Sequence, residues 1–272
     1  METDITIIVD NKADNGMDSE WGLSILIRYA GKNILLDAGS SELFLENMKK
    51  LGRDVADIDH AVLSHAHYDH ANGLPAFFEN NEKAKLYVRD HTAADCYKKK
   101  YIFRKYIGIP KKMLQKYPDR IVKVSGDYNL MDGVWLIPHK TKGLESIGKR
   151  ERMYRKTPGG WMPDDFSHEQ SLVLDTDKGL VILNSCSHGG ADTIISEVRN
   201  TFPDKKVYGL IGGLHLFNKP DEEIREVAKK IRDTGIQYIC TGHCTKDRAF
   251  GILNEELGDM AVQMKTGYRI VI

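Results

Sequence analysis

Residues 60–70 read His-Ala-Val-Leu-Ser-His-Ala-His-Tyr-Asp-His, an apolar strand that runs directly into a cluster of metal-binding side chains. In an extended segment His65 and His67 project to the same side, and the following turn brings Asp69 and His70 toward a neighbouring point. Imidazole nitrogens and carboxylate oxygens are ligands of zinc in open catalytic sites, and they also bind iron and manganese. A chance match to this spacing is rare in a chain with ten histidines, so the stretch predicts a site for two metals rather than a solvated polar loop.

Three later histidines occupy a similar position in the sequence. His188, His215 and His243 each follow an apolar strand and a few small residues, which is how a side chain is presented at a sheet edge. A single such histidine would be interpreted as structural. Three of them beside a metal motif predict that His188 and His243 are ligands and that His215 is either a ligand or a proton donor.

Short β-rich segments and amphipathic helices alternate along the chain, with antiparallel hairpins among them. This alternation favours sheets covered by outer helices. In the second half the pattern predicts strands at 171–176, 180–184, 207–211 and 236–240, and helices at about 192–202, 221–234 and 246–257.

The middle of the chain, 90–166, differs in character. Residues 98–123 contain ten basic residues and one acid, Asp119, with aromatic residues interleaved, and several glycines and prolines follow. One interpretation is a solvated helical face, and the other is a cap that attracts an anionic substrate to the site. We expect an inserted, basic helical or loop-like cap at 90–166 within a single domain spanning 1–272.

Composition excludes several classes of function. Lys plus Arg and Asp plus Glu each number 39, so bulk charge does not favour nucleic acid or anionic lipid as a partner. No apolar run approaches the ~18 to 20 residues of a membrane helix. The first residues lack the pattern of a secretory signal, and four cysteines do not make a disulfide framework, so we expect a cytoplasmic protein. The oligomeric state is not indicated.

Several of these motifs, taken in order, resemble the metallo-β-lactamase superfamily. They are Asp37 after a strand, His-x-His-x-Asp-His at 65–70, His188, and Thr241-Gly242-His243. Within that superfamily, four segments are similar to the subgroup of dihydropterin-methyl ribofuranosyl-aminobenzene phosphate synthase, from the methanopterin pathway: Trp21-Gly22-Leu23-Ser24, Ser185-Cys186-Ser187-His188, Gly212-Gly213-Leu214-His215-Leu216 and Gly242-His243-Cys244-Thr245.

The resemblance implies an αββα sandwich with a binuclear metal site at one edge of the two sheets. It implies two divalent ions, for which we expect zinc, with iron or manganese as alternatives. With His215 left free as a proton donor, the expected ligand sets are His65, His67 and His188 for one ion and Asp69, His70 and His243 for the other.

The chain departs from the superfamily's common pattern at one strand. Counting along Val181 to Asn184 places Cys186 where most members have a metal-bridging Asp, so the bridge is either absent or a thiolate. His168 has the usual spacing of the third histidine of the first metal, but the Cys-x-His-Gly setting of His188 matches the subgroup better. His168 therefore remains a second candidate.

Four residues near these motifs receive other roles. We expect Asp37 to accept a hydrogen bond that orients the histidine loop. Cys240 and Cys244 are interpreted as a buried strand residue and a small loop residue, and His139 as a candidate contact for an anion.

The predicted chemistry is hydrolysis of an ester, lactone or phosphoester of a small molecule, which the basic segment suggests is phosphorylated. Asp69 is expected to orient or deprotonate the water, and His215 to donate a proton to the leaving group. The alternative, implied by the subgroup, is a transferase that condenses a pterin methyl diphosphate with an aryl-amine ribosyl phosphate. A more remote alternative is a metal-binding regulator without catalysis.

Overall fold

The computed structural model describes residues 3–14 and 16–272. Its strands, in chain order, are β1 (Asp4–Val9), β2 (Ser24–Tyr29), β3 (Lys32–Leu36), β4 (His60–Val62), β5 (Lys85–Arg89), β6 (Cys96–Lys100), β7 (Phe103–Tyr106), β8 (Ile121–Val124), β9 (Tyr128–Met131), β10 (Val134–Pro138), β11 (Met153–Thr157), β12 (Gly160–Pro163), β13 (Gln170–Thr176), β14 (Gly179–Leu183), β15 (Val207–Ile211), β16 (Tyr238–Thr241), β17 (Ala261–Gln263) and β18 (Arg269–Val271). The α-helices are α1 (Leu43–Lys50), α2 (Tyr68–Ala71), α3 (Leu74–Asn80), α4 (Met113–Lys116), α5 (Glu145–Arg150), α6 (Ala191–Thr201), α7 (Asp221–Asp233) and α8 (Lys246–Leu257).

Two seven-stranded sheets form the centre of the molecule. The first has the order β18-β1-β2-β3-β4-β5-β8, and the second has the order β17-β16-β15-β14-β13-β10-β9. In each sheet a run of antiparallel strands is followed by parallel ones. The parallel runs are β3-β4-β5-β8 and β14-β15-β16-β17.

Alternating side chains bury both faces of each sheet. Along β2, Ile25 and Ile27 face the other sheet, whereas Leu26 packs with the helices on the outer face. Helices α1 and α3 cover the first sheet, while α6, α7 and α8 cover the second. The layers are therefore helix, sheet, sheet and helix, which confirms the predicted αββα sandwich.

Residues 90–166, for which we expected an inserted cap of helices and loops, contain mainly strands. They hold a small antiparallel sheet of order β12-β11-β6-β7, with the short helices α4 and α5 beside it. Within 90–166, β8 joins the first large sheet, and β9 and β10 join the second. The strands β6 and β11 pair across more than fifty residues of sequence. Runs such as Lys98–Lys100 also lack the alternation of apolar and polar residues that predicts a strand.

The parallel strands place five loops at one edge of the sandwich. Strands β3 and β4 of the first sheet lead to Asp37 and to the histidine motif. Strands β14, β15 and β16 of the second sheet lead to the loops that carry His188, His215 and His243. Carboxyl ends of neighbouring parallel strands lie side by side, so these loops meet. Among the described residues, 3–14 and 16–272, no helix has the length and apolarity that crossing a bilayer requires.

Candidate metal centre

The histidine motif forms a buried turn between β4 and α2. His65 is fully buried, and its Nδ1 lies 2.8 Å from the Ser64 hydroxyl oxygen. The Ser64 hydroxyl donates to Asp37, so it accepts the Nδ1 proton of His65. That tautomer leaves Nε2 of His65 unprotonated, with a lone pair available to a metal ion.

Asp37 connects the loops of the two sheets. Its carboxylate accepts hydrogen bonds from the Ser64 backbone N–H at 2.7 Å, the Ser64 hydroxyl at 2.6 Å and the Ser185 hydroxyl at 2.6 Å. Its Oδ2 also lies 2.8 Å from Nδ1 of His70. This contact orients His70 with Nε2 toward the centre, the geometry expected for a residue that positions a ligand.

His188 completes a triangle with His65 and His67. The three ring centroids lie 4.7 to 5.1 Å apart, and one ring nitrogen from each falls within 4.8 Å of the others. Both ring nitrogens of His188 are buried without a hydrogen-bond partner among the described residues. These three imidazoles can therefore share one metal ion.

A second group of donors lies beside the first. Asp69 Oδ2 is 3.6 Å from Nε2 of His243 and 4.0 Å from Nε2 of His70. The Trp21 indole N–H donates to the same carboxylate oxygen at 2.8 Å. Cys186 approaches this group closely, with its sulfur 3.3 Å from Nε2 of His70.

His168 occupies a different position. Its Nδ1 accepts the backbone N–H of Ala66 at 3.1 Å, and its Nε2 lies 3.2 Å from Asp164 Oδ2 and 3.6 Å from the sulfur of Cys96. Both nitrogens are thus engaged, and the ring supports the backbone between His65 and His67. His188, by contrast, presents free nitrogens.

Several residues of the centre have a left-handed backbone. The φ angles are +61° at Asp37, +51° at Ser187, +51° at His215 and +47° at His243. Non-glycine residues seldom adopt this conformation, and it costs on the order of 1–3 kcal/mol each. Such strain is found at sites where the surrounding structure fixes a side chain in a functional position.

The protonation state of most of these histidines favours metal binding. Burial, together with repulsion from neighbouring imidazoles, lowers the pKa of His65, His67, His188 and His243. At His70 burial also opposes the charged form, but Asp37 outweighs it and raises the pKa to about 9 in the metal-free fold. Four of the five imidazoles are therefore neutral at pH 7, as metal ligation requires.

Unpaired nitrogens test whether the residues fit a metal. Among the residues described, seven buried ring nitrogens of His65, His67, His188, His215 and His243 lack a hydrogen-bond partner. An unsatisfied buried polar group costs about 1–3 kcal/mol, so a native fold rarely gathers so many in one place. The donor set fits divalent metal ions.

A cavity of about 440 Å³ opens onto the metal donors. Aromatic rings and cationic side chains form much of its wall: Trp21, Tyr68, Phe217, Lys98, Lys99, Lys100, Lys105 and Arg152. His67, Asp69, Cys186, His188, His215 and Cys244 form its floor. The four lysines belong to the basic segment, so that part of the segment faces the site.

The structure also places two other residues of the sequence analysis, His139 and Cys244. His139 does not reach the cavity but is buried between Glu197 and Glu169, with each ring nitrogen 3.0 Å from a carboxylate oxygen. Cys244, interpreted as a small loop residue, lines the cavity with its sulfur 3.5 Å from that of Cys186. The sequence signal for its place beside the candidate metal donors is that Cys244 directly follows His243.

Comparisons with known proteins agree with the metal centre that the geometry suggests. Residues 22–150 match the model of the metallo-beta-lactamase superfamily. The chain is 29% identical over 262 residues to 7,8-dihydropterin-6-methyl-4-(beta-D-ribofuranosyl)-aminobenzene-5'-phosphate synthase of Methanocaldococcus jannaschii, covering 92% of this chain and 89% of that protein. The solved structure of a metal-dependent hydrolase of the beta-lactamase superfamily matches with a TM-score of 0.85, at 26% identity and 99% coverage of both chains.

Proposed function

Because the chain carries a metallo-beta-lactamase superfamily domain, we propose that it is a metal-dependent hydrolase of an anionic small molecule, with an ester, lactone or phosphoester as the bond cleaved. The observation that carries the proposal is the gathering of unpaired buried imidazole nitrogens beside one cavity, which His67, His188 and His215 line.

Two divalent ions fit the donors, with zinc expected and iron or manganese as alternatives. His65, His67 and His188 would hold one ion, and Asp69, His70 and His243 the other. When bound, such ions lower the pKa of water and polarise the oxygen of the bond that is cleaved.

Asp69 is suited to control the attacking water. Its side chain is 11% exposed at the floor of the cavity, and the Trp21 indole fixes one of its oxygens. A carboxylate held in this way accepts a hydrogen bond from water in one orientation and can take its proton.

His215 is suited to protonate the leaving group. It lines the cavity, and its Nε2 lies 3.9 Å from Glu151 Oε2. Burial opposes ionisation of Glu151, but hydrogen bonds from Lys219 and Asn218 lower its pKa below the usual value. The resulting carboxylate lies close enough to the His215 ring to orient it toward a leaving group.

Lys98 supports an anionic substrate. It is partly buried in the cavity wall, and its ammonium group lies 5.5 Å from the centre of the Phe217 ring. Burial lowers the pKa of Lys98, and nearby carboxylates only partly compensate. A phosphate or carboxylate in the cavity would supply the missing counter-charge, so we expect Lys98 to contact it.

A transferase that uses the same donors is the second candidate. The observation that favours it is the 29% identity to the synthase over nearly the whole chain. In that case a pterin diphosphate would supply the leaving group and an aryl-amine ribosyl phosphate would be the acceptor.

Metal content and product analysis on one sample test these proposals. Protein purified without added metal is expected to contain two divalent ions and to cleave one member of a panel of lactones, esters and phosphoesters. His67→Ala should lose metal and activity while the fold survives, and His91→Ala, an exposed residue, is the control. Product that forms only when the aryl acceptor is present would replace the hydrolase with the transferase, and full activity in His67→Ala would contradict both.

A further inference from the structure

Two thiols from different loops meet at the metal centre. Cys186 follows β14 and Cys244 follows β16, and their sulfur atoms lie 3.5 Å apart. Both side chains are nearly buried, yet both contribute to the floor of the cavity. Neither takes part in a disulfide, since each cysteine of the chain is free.

The thiols share their surroundings with unpaired nitrogen donors. One ligand atom each from Cys186, Cys244 and His243 lies within 4.8 Å of the others. Nε2 of His243 is buried and has no hydrogen-bond partner within the described part of the chain. Nε2 of His70 lies 3.3 Å from the Cys186 sulfur, on the side away from Asp37.

The spacing is that of atoms sharing one metal ion. Zinc–sulfur and zinc–nitrogen bonds of about 2.3 and 2.0 Å, at the angles of roughly 90 to 110° found in four- and five-coordinate sites, place two donors ~3.0 to 3.8 Å apart. The sulfur–sulfur distance of 3.5 Å and the nitrogen–sulfur distance of 3.3 Å lie within that range. A disulfide would instead need about 2.05 Å.

The backbone around Cys244 is arranged for a thiolate. The N–H of His215 donates to the Cys244 sulfur at 3.2 Å, a bond that strengthens when the sulfur is negative. Gly213 leaves space for that sulfur, because a Cβ at this position would lie 2.5 Å from it. Hydrogen bonds of this kind fix and tune metal ligands.

We propose that Cys186 and Cys244 act as a pair of thiolate ligands to the second metal, beside the donors Asp69, His70 and His243. The proposal rests on the proposed function, since it assumes that the centre is loaded. Each thiol releases its proton to solvent as it binds. A sulfur-rich site selects zinc or iron(II) over manganese or magnesium, so the pair sets the metal preference of this chain.

X-ray absorption spectroscopy of the zinc-loaded protein tests the pair directly. With two zinc ions per chain, the wild type is expected to show two sulfur neighbours for every two ions, at about 2.3 Å. Cys244→Ser should halve this sulfur count. Cys240→Ser is the matched control, because Cys240 is equally buried on the preceding strand but does not line the cavity, and its spectrum should equal the wild type.

Cobalt(II) provides a second readout that does not depend on activity. The cobalt-loaded wild type should show thiolate-to-metal charge-transfer absorption that falls by about half in Cys244→Ser. If that variant does not fold, the sulfur count of the wild type decides alone.

The experiments distinguish failure of the thiolate pair from failure of the proposed function. One sulfur or none per two ions in the wild type, or an unchanged sulfur shell in a folded Cys244→Ser, overturns the thiolate pair and leaves the hydrolase standing. Protein that binds no divalent metal overturns both.

Discussion

At the scale of single residues, the centre depends on side chains that are not themselves proposed as metal ligands. Asp37 is the clearest case, because one carboxylate receives donors from Ser64, Ser185 and His70. Two of these come from the first sheet and one from the second. The position of His70 is therefore coupled to the packing of the two sheets.

Replacing Asp37 with asparagine should weaken metal binding without removing a ligand. The amide of Asp37→Asn would direct a donor at groups that already donate, so His70 would lose its orientation. Zinc affinity is expected to fall about 10- to 100-fold, measured by competition with a chelator. Asp54→Asn, at an exposed position, is the control. Affinity within twofold of the wild type would contradict the orienting role.

His139 supports the backbone at His188 through Glu169. It lies between Glu197 and Glu169, and Glu169 accepts the backbone N–H of His188 at 3.2 Å. Burial opposes the charged imidazole, but the two carboxylates raise its pKa to about 9. Its stabilising effect is therefore complete below pH 6.5 and is lost as the pH rises through about 9.

Removing this imidazolium should destabilise the protein in a pH-dependent way. His139→Gln leaves two buried carboxylates without their cation, which costs on the order of 3–5 kcal/mol at pH 6. Urea unfolding of the metal-free protein at pH 6 and pH 9.5 measures the free energy of unfolding, and the difference from wild type should shrink at the higher pH. His91→Gln, at an exposed site, should differ little at either pH. A difference that grows with pH would refute the charged state assigned to His139.

At the scale of elements, the parallel strands of the second sheet determine where the candidate ligands His188 and His243 lie. Their positions were predictable, since each apolar run ends locally in small residues and then a histidine. Helices α6, α7 and α8 likewise fall within about a residue or two of the expected bounds. The small sheet of β6, β7, β11 and β12 was not predictable, because strands distant in sequence form it and lysines interrupt its alternation.

Substitution of Gly212 tests how closely the ends of β14 and β15 must approach each other at the centre. Its φ is +143°, and a Cβ would lie 1.9 Å from the carbonyl oxygen of Asn184. Gly212→Ala should therefore separate the strand ends, lowering the free energy of unfolding by on the order of 3 kcal/mol and weakening metal binding. Gly251→Ala is the matched control. That position is exposed in α8 with open space around it, so alanine should stabilise by about 0.5–1 kcal/mol. Equal stability of the two variants would show that the close approach is not required.

At the scale of the whole molecule, the centre joins the two sheets. The sequence motifs indicated the superfamily and the αββα layers. The match of residues 22–150 to the superfamily model agrees with the first, and the structure confirms the second. The candidate site was predictable where its residues follow strands in sequence, as at 65–70, His188 and His243. It was not predictable where contacts cross between loops, as for Trp21 with Asp69, Glu151 with His215 and Cys186 with Cys244.

Since the proposed ligands come from both sheets, removing metal should weaken the entire fold. At a free metal concentration about a thousand times Kd, binding adds about 4 kcal/mol to the free energy of unfolding. For a chain of this length each kcal/mol shifts Tm by about 2–4 °C, so chelation should lower Tm by roughly 10 °C. Calorimetry before chelation, after it, and after zinc is returned measures the shift. The shift should also decrease as the pH falls through about 9, where His70 of the metal-free fold takes up a proton, and again well below 6.5, where the other candidate imidazoles do. An unchanged Tm in protein proven metal-free by elemental analysis would mean that the sheets hold together without the centre.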